Sequence, residues 1–296
     1  MRQLLDVIKL QDFKDFEVVV SDDSPDNDVF ELCEGYKETF ALSYYKNNPA
    51  LGTPENWNNA IRKANGTWIK LMHDDDFFAS ETTLGAFANA IKKNPDADLL
   101  YSAFVFDEIA SQKRETVRCT VWDRFILGLS PYHMFKRNYF GNPSCVIFKK
   151  TVPFLYDKRF KYIVDFAYYI ELLIAKVKCV YIPETLIHVG LNEDQVTHYT
   201  FKNKSVQVYE NHVFLEKIGI GALKNILAFD YYWRIYRNFG VKDVAEINEF
   251  YKGSIPEVIR QMINFQSKIP DSLLKGFSSK LFMSACYLKL RITNKF

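Results

Sequence analysis

Thr67 to Asp76 reads TWIKLMHDDD, an apolar, β-prone run that ends in three adjacent carboxylates. Thr67–Met72 has the composition of a strand, the third in the chain. Neighbouring carboxylates repel one another and are costly to desolvate unless something compensates them. Hard oxygen ligands of this kind suit a divalent cation, Mg2+ or Mn2+. A solvated loop or a helix cap is the ordinary alternative for an acidic triplet. Two features favour the cation here: the triplet closes a strand, and a second acidic pair does the same. That pair, Asp22 and Asp23, lies in FEVVVSDDSPDN (Phe16 to Asn27), where a Val-rich strand stops at turn formers.

Outward from these anchors, strand-like and helix-like segments alternate. A helix at 2–10 carries Leu4, Leu5, Ile8 and Leu10 at helical spacing, and helix 27–36 and strand 40–46 follow. After the loop NNPALGTPE, a helix covers 55–64, with Pro54 near its first turn and Gly66 just past its end. Ser80 caps a helix at 81–93. Strands are expected at 98–106, 143–149, 178–182 and 185–189, and a helix at 164–176. The alternation predicts an α/β fold, a mostly parallel sheet flanked by helices, with ligands beyond the carboxyl ends of its strands. From about 200 the pattern is helical: 204–217, 220–238, 242–251, 255–266 and 271–290. The expected organisation is an α/β domain over 1–200 and a helical C-terminal extension, 201–296, packed on it.

The 296 residues include 38 Lys plus Arg, 36 Asp plus Glu and 16% aromatics, which excludes disorder, collagen and coiled coil as the overall class. A formal net charge of +2 gives no general case for nucleic acid. Cys33, Cys119, Cys145, Cys179 and Cys286 form no C-x-x-C pair, which argues against a disulfide framework and structural zinc and for a reducing compartment. There is no apolar leader, and no stretch reaches the roughly 18 uncharged apolar residues of a membrane span. The chain is expected in the cytoplasm, free or attached at the inner face of the membrane.

The run FEVVVSDDSPDN, followed by YYKNNPALGTPENWNNAIRKANGTWIKLMHDDDFF, resembles the nucleotide-binding half of family 2 glycosyltransferases, which have the GT-A fold. GNPSCVIFKK and YIVDFAYYIELL are similar to the acceptor-side half, so the resemblance covers about 1–195. It implies a metal-dependent, inverting transfer of a sugar from a nucleotide-diphosphate donor to a glycan or lipid-linked glycan, as in surface polysaccharide synthesis. By the same resemblance, Asp22 and Asp23 lie at the base and ribose. Asp75 would hold the metal, with Asp74 beside it by the ribose and diphosphate. Asn56, Asn58 and Asn59 lie on a helix facing the donor, although Asn near a helix start is also a common cap. Asp165 falls where the family keeps its general base.

Elementary chemistry agrees with that assignment. A departing diphosphate needs counter-charge, and an attacking hydroxyl must lose its proton. One base and one metal site without a nucleophile describe a single displacement with inversion. Asp165 opens a helix rich in apolar residues (Ile163, Val164, Phe166, Tyr168, Tyr169, Ile170), which raises its pKa; helix capping is the alternative role. Gly141, Asn142, Pro143 and Ser144 match the loop before the acceptor-side strand or an ordinary turn. Trp57, Trp68, Trp122 and Trp233 read as core or surface residues.

The chain departs from the family in two places. Many relatives carry an Arg-x-His metal contact; the matching stretch here is Val189, Gly190, Leu191 and Asn192, between His188 and His198, so Asn192 or a water substitutes. Relatives also begin with an apolar strand and a polar turn. No equivalent precedes the first helix, so that first strand is missing here and is expected to be encoded upstream of Met1. Both departures favour a second reading, an inactive GT-A-like scaffold that binds a nucleotide or a partner transferase; the intact HDDD and Asp165 count against it. Nucleotidyl transfer would want a Gly-rich, Lys- or Arg-bearing phosphate loop, which this sequence lacks.

The tail carries a separate signal. Residues 201–296 hold 15 basic and 8 acidic side chains, and no acidic one follows Asp271. Lys275, Lys280, Lys289, Arg291 and Lys295 accompany Leu273, Phe277, Leu281, Ala285 and Leu288 at helical spacing, with Leu274 and Phe282 widening the apolar face. Residues 271–296 are expected to lie on an anionic membrane surface as a basic amphipathic helix, or to pack their apolar face on the domain.

Overall fold

The computed structural model describes residues 1–108, 113–190 and 200–296. The chain divides into two compact units. The first comprises Met1–Ile126, Asn138–Lys158 and Val164–Gln195; the second comprises Leu127–Arg137, Arg159–Ile163 and Val196–Phe296.

In the first unit, α1 (Arg2–Leu10) turns Leu4, Leu5 and Ile8 into a core shared with Phe78, Phe87 and Leu100. β1 (Val18–Asp22) and β2 (Leu42–Lys46) make a two-stranded parallel sheet, in register from Val18↔Leu42 to Asp22↔Lys46. Between them lies α2 (Asp28–Glu34), and after them α3 (Glu55–Lys63). The larger sheet has the order β3 (Trp68–Ile69), β7 (Val146–Lys149), β5 (Leu99–Glu108), β8 (Cys179–Gly190), β4 (Phe77–Phe78), and β6 (Lys113–Val117) also pairs with β5. In this sheet β5–β8 is parallel, and β3–β7, β5–β7, β5–β6 and β4–β8 are antiparallel. The α/β, GT-A-like class stands, with a mixed sheet in place of the mostly parallel one. The antiparallel members are β3 and β5 against β7, β4 against β8, and β6 against β5, so strand direction follows the neighbour each strand pairs with.

β5 lies between β7 and β8, and Leu99, Leu100, Tyr101, Ala103 and Phe104 are all buried. A near-continuous apolar run, here interrupted by the buried Ser102, is what a strand covered on both faces requires, and burying each large side chain contributes about 2 kcal/mol. The strands expected at 178–182 and 185–189 are one strand, β8, with a bulge. Ser102 pairs with Ile182 and Ala103 with Thr185, so Pro183 and Glu184 are stepped past. Proline has no N–H to give to a ladder. Strand 143–149 splits into a 3-10 turn at Pro143–Cys145 and β7, and Thr67–Met72 is strand only at Trp68–Ile69. The helices expected at 81–93 and 164–176 are α4 (Thr83–Lys93) and α6 (Val164–Ile174). Local sequence pattern does not announce β4, β6 or α5 (Val121–Leu129).

The second unit contains α7 (Lys204–Ile218), α8 (Ile226–Asn238), α9 (Val244–Phe250), α10 (Glu257–Gln266) and α11 (Gly276–Ile292). The single helix expected over 220–238 is a 3-10 turn, Ile220–Lys224, followed by α8, whose cap Asn225 accepts from the Leu227 N–H at 2.9 Å. Phe214, Phe229, Tyr232, Trp233, Tyr236 and Met262 fill the core. On α11 the buried residues are Ser279, Met283, Cys286, Tyr287 and Leu290. Phe277, Leu281, Ala285 and Leu288, which were candidates for packing, face solvent instead. Among the described residues, no helix is long and apolar enough to cross a membrane.

α7 buries three polar side chains in a row. Glu210 accepts from the N–H groups of Lys161, Tyr162 and Ile163 at 2.6, 3.0 and 3.0 Å. Asn211 donates to the Gln207 carbonyl at 2.8 Å. The His212 Nε2 lies 3.0 Å from the Tyr236 hydroxyl, and its ring stacks on Tyr251 at 4.9 Å. Burial pushes His212 from 6.5 down to about 4. The unfolded chain therefore takes up this proton first as pH falls. Stability from this group is full above pH 6.5 and is lost as pH drops toward 4, by about 3 kcal/mol. In His212→Phe the loss of Tm between pH 6.5 and 4 should shrink by a matching amount. An unchanged pH–Tm profile would clear His212 of that role.

Candidate active site at the acidic turn

His73 to Asp76 forms a tight turn, closed by the Asp76 N–H donating to the His73 carbonyl at 3.3 Å. Such closure brings the first and fourth residues together. Asp75 joins them: His73, Asp75 and Asp76 offer ligand atoms that all lie within 4.8 Å of one another. Asp74 is exposed and is not part of that group. Of the two residues expected at the metal, the structure thus brings Asp75 into a cluster and leaves Asp74 at its rim.

Asp76 is only 1% exposed. It accepts from the Gly190 N–H at 3.0 Å and from Asn142 Nδ2 at 2.6 Å, and His73 Nδ1 lies 3.6 Å away. Burial raises its pKa, against the opposing pull of His73 and of hydrogen bonds from Ser144 and Asn142. The His73 N–H donates to Ser144 Oγ at 2.9 Å, and its ring stacks on Trp57 at 4.8 Å. Its Nε2 is buried with no hydrogen-bond partner. One imidazole nitrogen without a partner beside two converging carboxylates fits a divalent cation, and the imidazole suits Mn2+ better than Mg2+. At Gly190, the end of β8, an added Cβ would stand 2.4 Å from the Asp75 carbonyl, so only glycine permits this approach. His188 is engaged elsewhere, at 3.2 Å from Asp107 and stacked on Phe77. Asn192 and His198 lie outside the described residues.

At the end of β1, Asp22 is buried and Asp23 half-buried. Burial opposes ionisation of Asp22, but hydrogen bonds from Tyr44 (2.6 Å), Ser24 (2.8 Å) and Lys46 (3.0 Å) outweigh it and hold the carboxyl below its ordinary range. Asp23 gathers the loop before α3, accepting from the Leu51 and Gly52 N–H groups at 3.0 and 2.7 Å and from Asn47 at 2.9 Å. Asn47 donates to Asn56 and accepts from Asn59, each at 2.9 Å, and Asn59 also reaches Ser21. Asn58 faces away and holds the backbone of Tyr156 through both its amide atoms, at 2.7 and 3.0 Å.

Asp165 sits in the first turn of α6 and accepts from Asn138 Nδ2 at 2.9 Å. Burial pushes its carboxyl up to about 6, against the hydrogen bonds and the charge of His73. The Asn138 amide also donates to the Gly141 carbonyl at 2.8 Å, and its Oδ1 accepts from the Phe140 N–H at 3.0 Å. Residues 138–142 therefore form one turn that holds Asp165 through Asn138 and Asp76 through Asn142. Gly141 closes it at φ +79°, where an added Cβ would lie 2.7 Å from the Phe104 ring. Nearby, the Lys70 ammonium donates to the Ser144 carbonyl, and burial brings its pKa down to about 7. Sequence reading did not single out Trp57, Asn138 or Gly190 as site residues. Their roles come from contacts between segments distant along the chain; His73, Asp76, Asn142 and Gly190 stood in stretches already of interest.

The folded unit and its acidic turn have the make-up of a GT-A glycosyltransferase, and the likeness to solved structures establishes that fold. A crystal structure of S. aureus TarS in complex with UDP matches with a TM-score of 0.58 and 15% identity, covering 99% of this chain and 87% of that one. A mannosyltransferase from Pyrobaculum calidifontis, in complex with GDP-Man and Mn2+, matches with a TM-score of 0.52 and 16% identity over 99% and 82%. The sequence model of glycosyl transferase family 2 matches residues 1–151, and the chain belongs to that family. A Campylobacter jejuni relative, GalNAc(5)-diNAcBac-PP-undecaprenol beta-1,3-glucosyltransferase, is 33% identical over 88 residues, 29% of this chain and 27% of that protein. The match thus spans about a quarter of that relative's length.

Gly190→Ala should force the acidic turn away from β8. A loss of about 2 kcal/mol in stability is expected, together with at least tenfold weaker Mn2+ binding by calorimetry. Wild-type affinity in a folded Gly190→Ala protein would show that the close approach does not shape the cluster.

Proposed function

We propose that the chain transfers a sugar, with inversion, from a nucleoside-diphosphate donor to a glycan carried on a lipid, in the cytoplasm or at the inner face of the membrane, for surface polysaccharide assembly. The observation that carries the reading is the pairing of two different carboxylate stations on one turn. At one, Asp75 and the sealed Asp76 stand with His73 as a ligand set; at the other, Asp165 is alone and titrates near 6. Family membership supports sugar transfer, and the C. jejuni relative, named for a polyprenyl-diphosphate-linked glycan, supports the acceptor class.

In this reading Asp165 accepts the proton of the acceptor hydroxyl as that oxygen bonds to the anomeric carbon. The bond from that carbon to the diphosphate breaks on the opposite face, and the nucleoside diphosphate leaves. No enzyme nucleophile is involved, so configuration inverts. His73, Asp75 and Asp76 would hold the divalent cation, with Asp74 at the rim on the side assigned to the ribose and diphosphate. When bound, the cation supplies counter-charge for the leaving diphosphate. Asp22, Asp23, Asn56 and Asn59 form the wall for the base and ribose. Asp22 acts through Tyr44 and Lys46, and Asp23 through the N–H groups it gathers.

A screen of nucleoside-diphosphate sugars for thermal shift and hydrolysis, with and without Mn2+, tests the reading. One donor should raise Tm in a Mn2+-dependent way, and Asp75→Ala should abolish both the shift and turnover. Failure of every donor to bind would favour a scaffold that engages another partner.

A base must be ionised to act. With Asp165 near 6, kcat/KM should rise through pH 6 and level above about 7. Asp165→Asn should keep donor binding and lower transfer by about 10²-fold or more. Equal losses of binding and turnover would assign Asp165 to binding.

A further inference from the structure

α11 is apolar on two faces. Its inner face packs in the second unit, where Trp233 Nε1 donates to Ser279 Oγ at 3.0 Å and the Tyr287 hydroxyl donates to the Lys224 carbonyl at 2.6 Å. Its outer face carries Phe277, Leu281, Leu288 and Ile292, exposed at 75, 56, 58 and 84%, together with exposed Ala285. At 3.6 residues per turn these five fall within an arc of roughly 80°. A helix already docked by one face normally presents polar side chains on the other, so a second apolar stripe marks a surface with a partner.

The flanking charges identify that partner. Lys280 and Arg291 border the stripe on one side and Lys289 on the other, and Gly276–Ile292 contains no Asp or Glu. Arg291 and Lys289 rest their cationic ends against Tyr287 and Phe265, at 5.5 and 6.0 Å from the ring centres. Against a second copy of α11 this arrangement would set cation against cation, with no acid on the helix to answer it. Against a bilayer, the apolar arc enters the acyl boundary while the bordering cations meet phosphate headgroups.

We propose that the outer face of α11 docks on an anionic lipid bilayer, with the helix lying in the plane of the interface. The proposal stands on α11 alone and goes beyond the reaction assigned to the first unit.

The test is partition of the full chain onto vesicles of about 30% phosphatidylglycerol in phosphatidylcholine, against phosphatidylcholine alone, at low salt. Binding to the anionic vesicles should be at least tenfold stronger. Lys280→Gln/Lys289→Gln/Arg291→Gln should lower it by about 100-fold. Phe277→Ser/Leu281→Ser/Leu288→Ser, all at exposed positions, should lower it at least tenfold with Tm unchanged. The Tm shift produced by a nucleotide sugar should be the same in both variants, which separates this face from the donor site. Equal binding to neutral and anionic vesicles, or binding unaffected by either triple substitution, overturns the proposal. So does a dimer, seen by light scattering, that the serine variant abolishes while no vesicle binding is found.

Discussion

A carboxylate sealed from water needs donors in place of hydration. Asp76 has them from two directions, the Gly190 N–H at the end of β8 and the Asn142 amide ahead of β7, with the His73 ring 3.6 Å away at the start of its own turn. β4 begins at the next residue and pairs with β8, so the same strand that supplies the donor also fixes where the turn leaves the sheet. The positions of His73 and Asp75 follow from that one buried group. Asn142 then connects the arrangement to Asp165, because the turn it ends begins at Asn138. The two carboxylate stations are therefore linked by a hydrogen-bonded five-residue bracket, which holds Asp165 at one end and Asp76 at the other.

Much of this was legible along the chain. The Leu4, Leu5, Ile8 spacing marks α1, the valines before Asp22 mark β1, and the helices around Asp165 and beyond residue 200 follow from apolar periodicity. What escaped was set by pairing. β4 is two residues long and exists because β8 accepts it, which no local pattern can show, and the strand expected at 67–72 is held to the two residues that pair with β7. Pro183 punctuates the sequence as a boundary, yet neighbouring β5 keeps its ladder by letting β8 bulge past it. The mixed sheet has the same origin, since strand direction depends on which neighbour is met.

The site was legible to a similar depth. HDDD located the acidic turn, but which aspartates converge depends on the direction of chain reversal, and that placed Asp76 inside and Asp74 outside. The rise in the pKa of Asp165 was foreseeable from its apolar surroundings. Its partner Asn138, 27 residues away, was not. In the tail, periodicity located the helix and one apolar stripe; the face that found the core, with Met283, Tyr287 and Leu290, was a different one, and Phe277, Leu281 and Leu288 stayed outside.

The Trp57–His73 stack has a consequence of a different kind. An indole stacked on an imidazole at 4.8 Å shares that ring's surroundings, so its emission is sensitive to what happens there. Trp68 lies on β3, Trp122 on α5 and Trp233 in the second unit, so of the four only Trp57 touches the acidic turn's imidazole. The acidic turn thus carries a native fluorophore stacked on its imidazole, which lets that spot be watched in unlabelled protein by light.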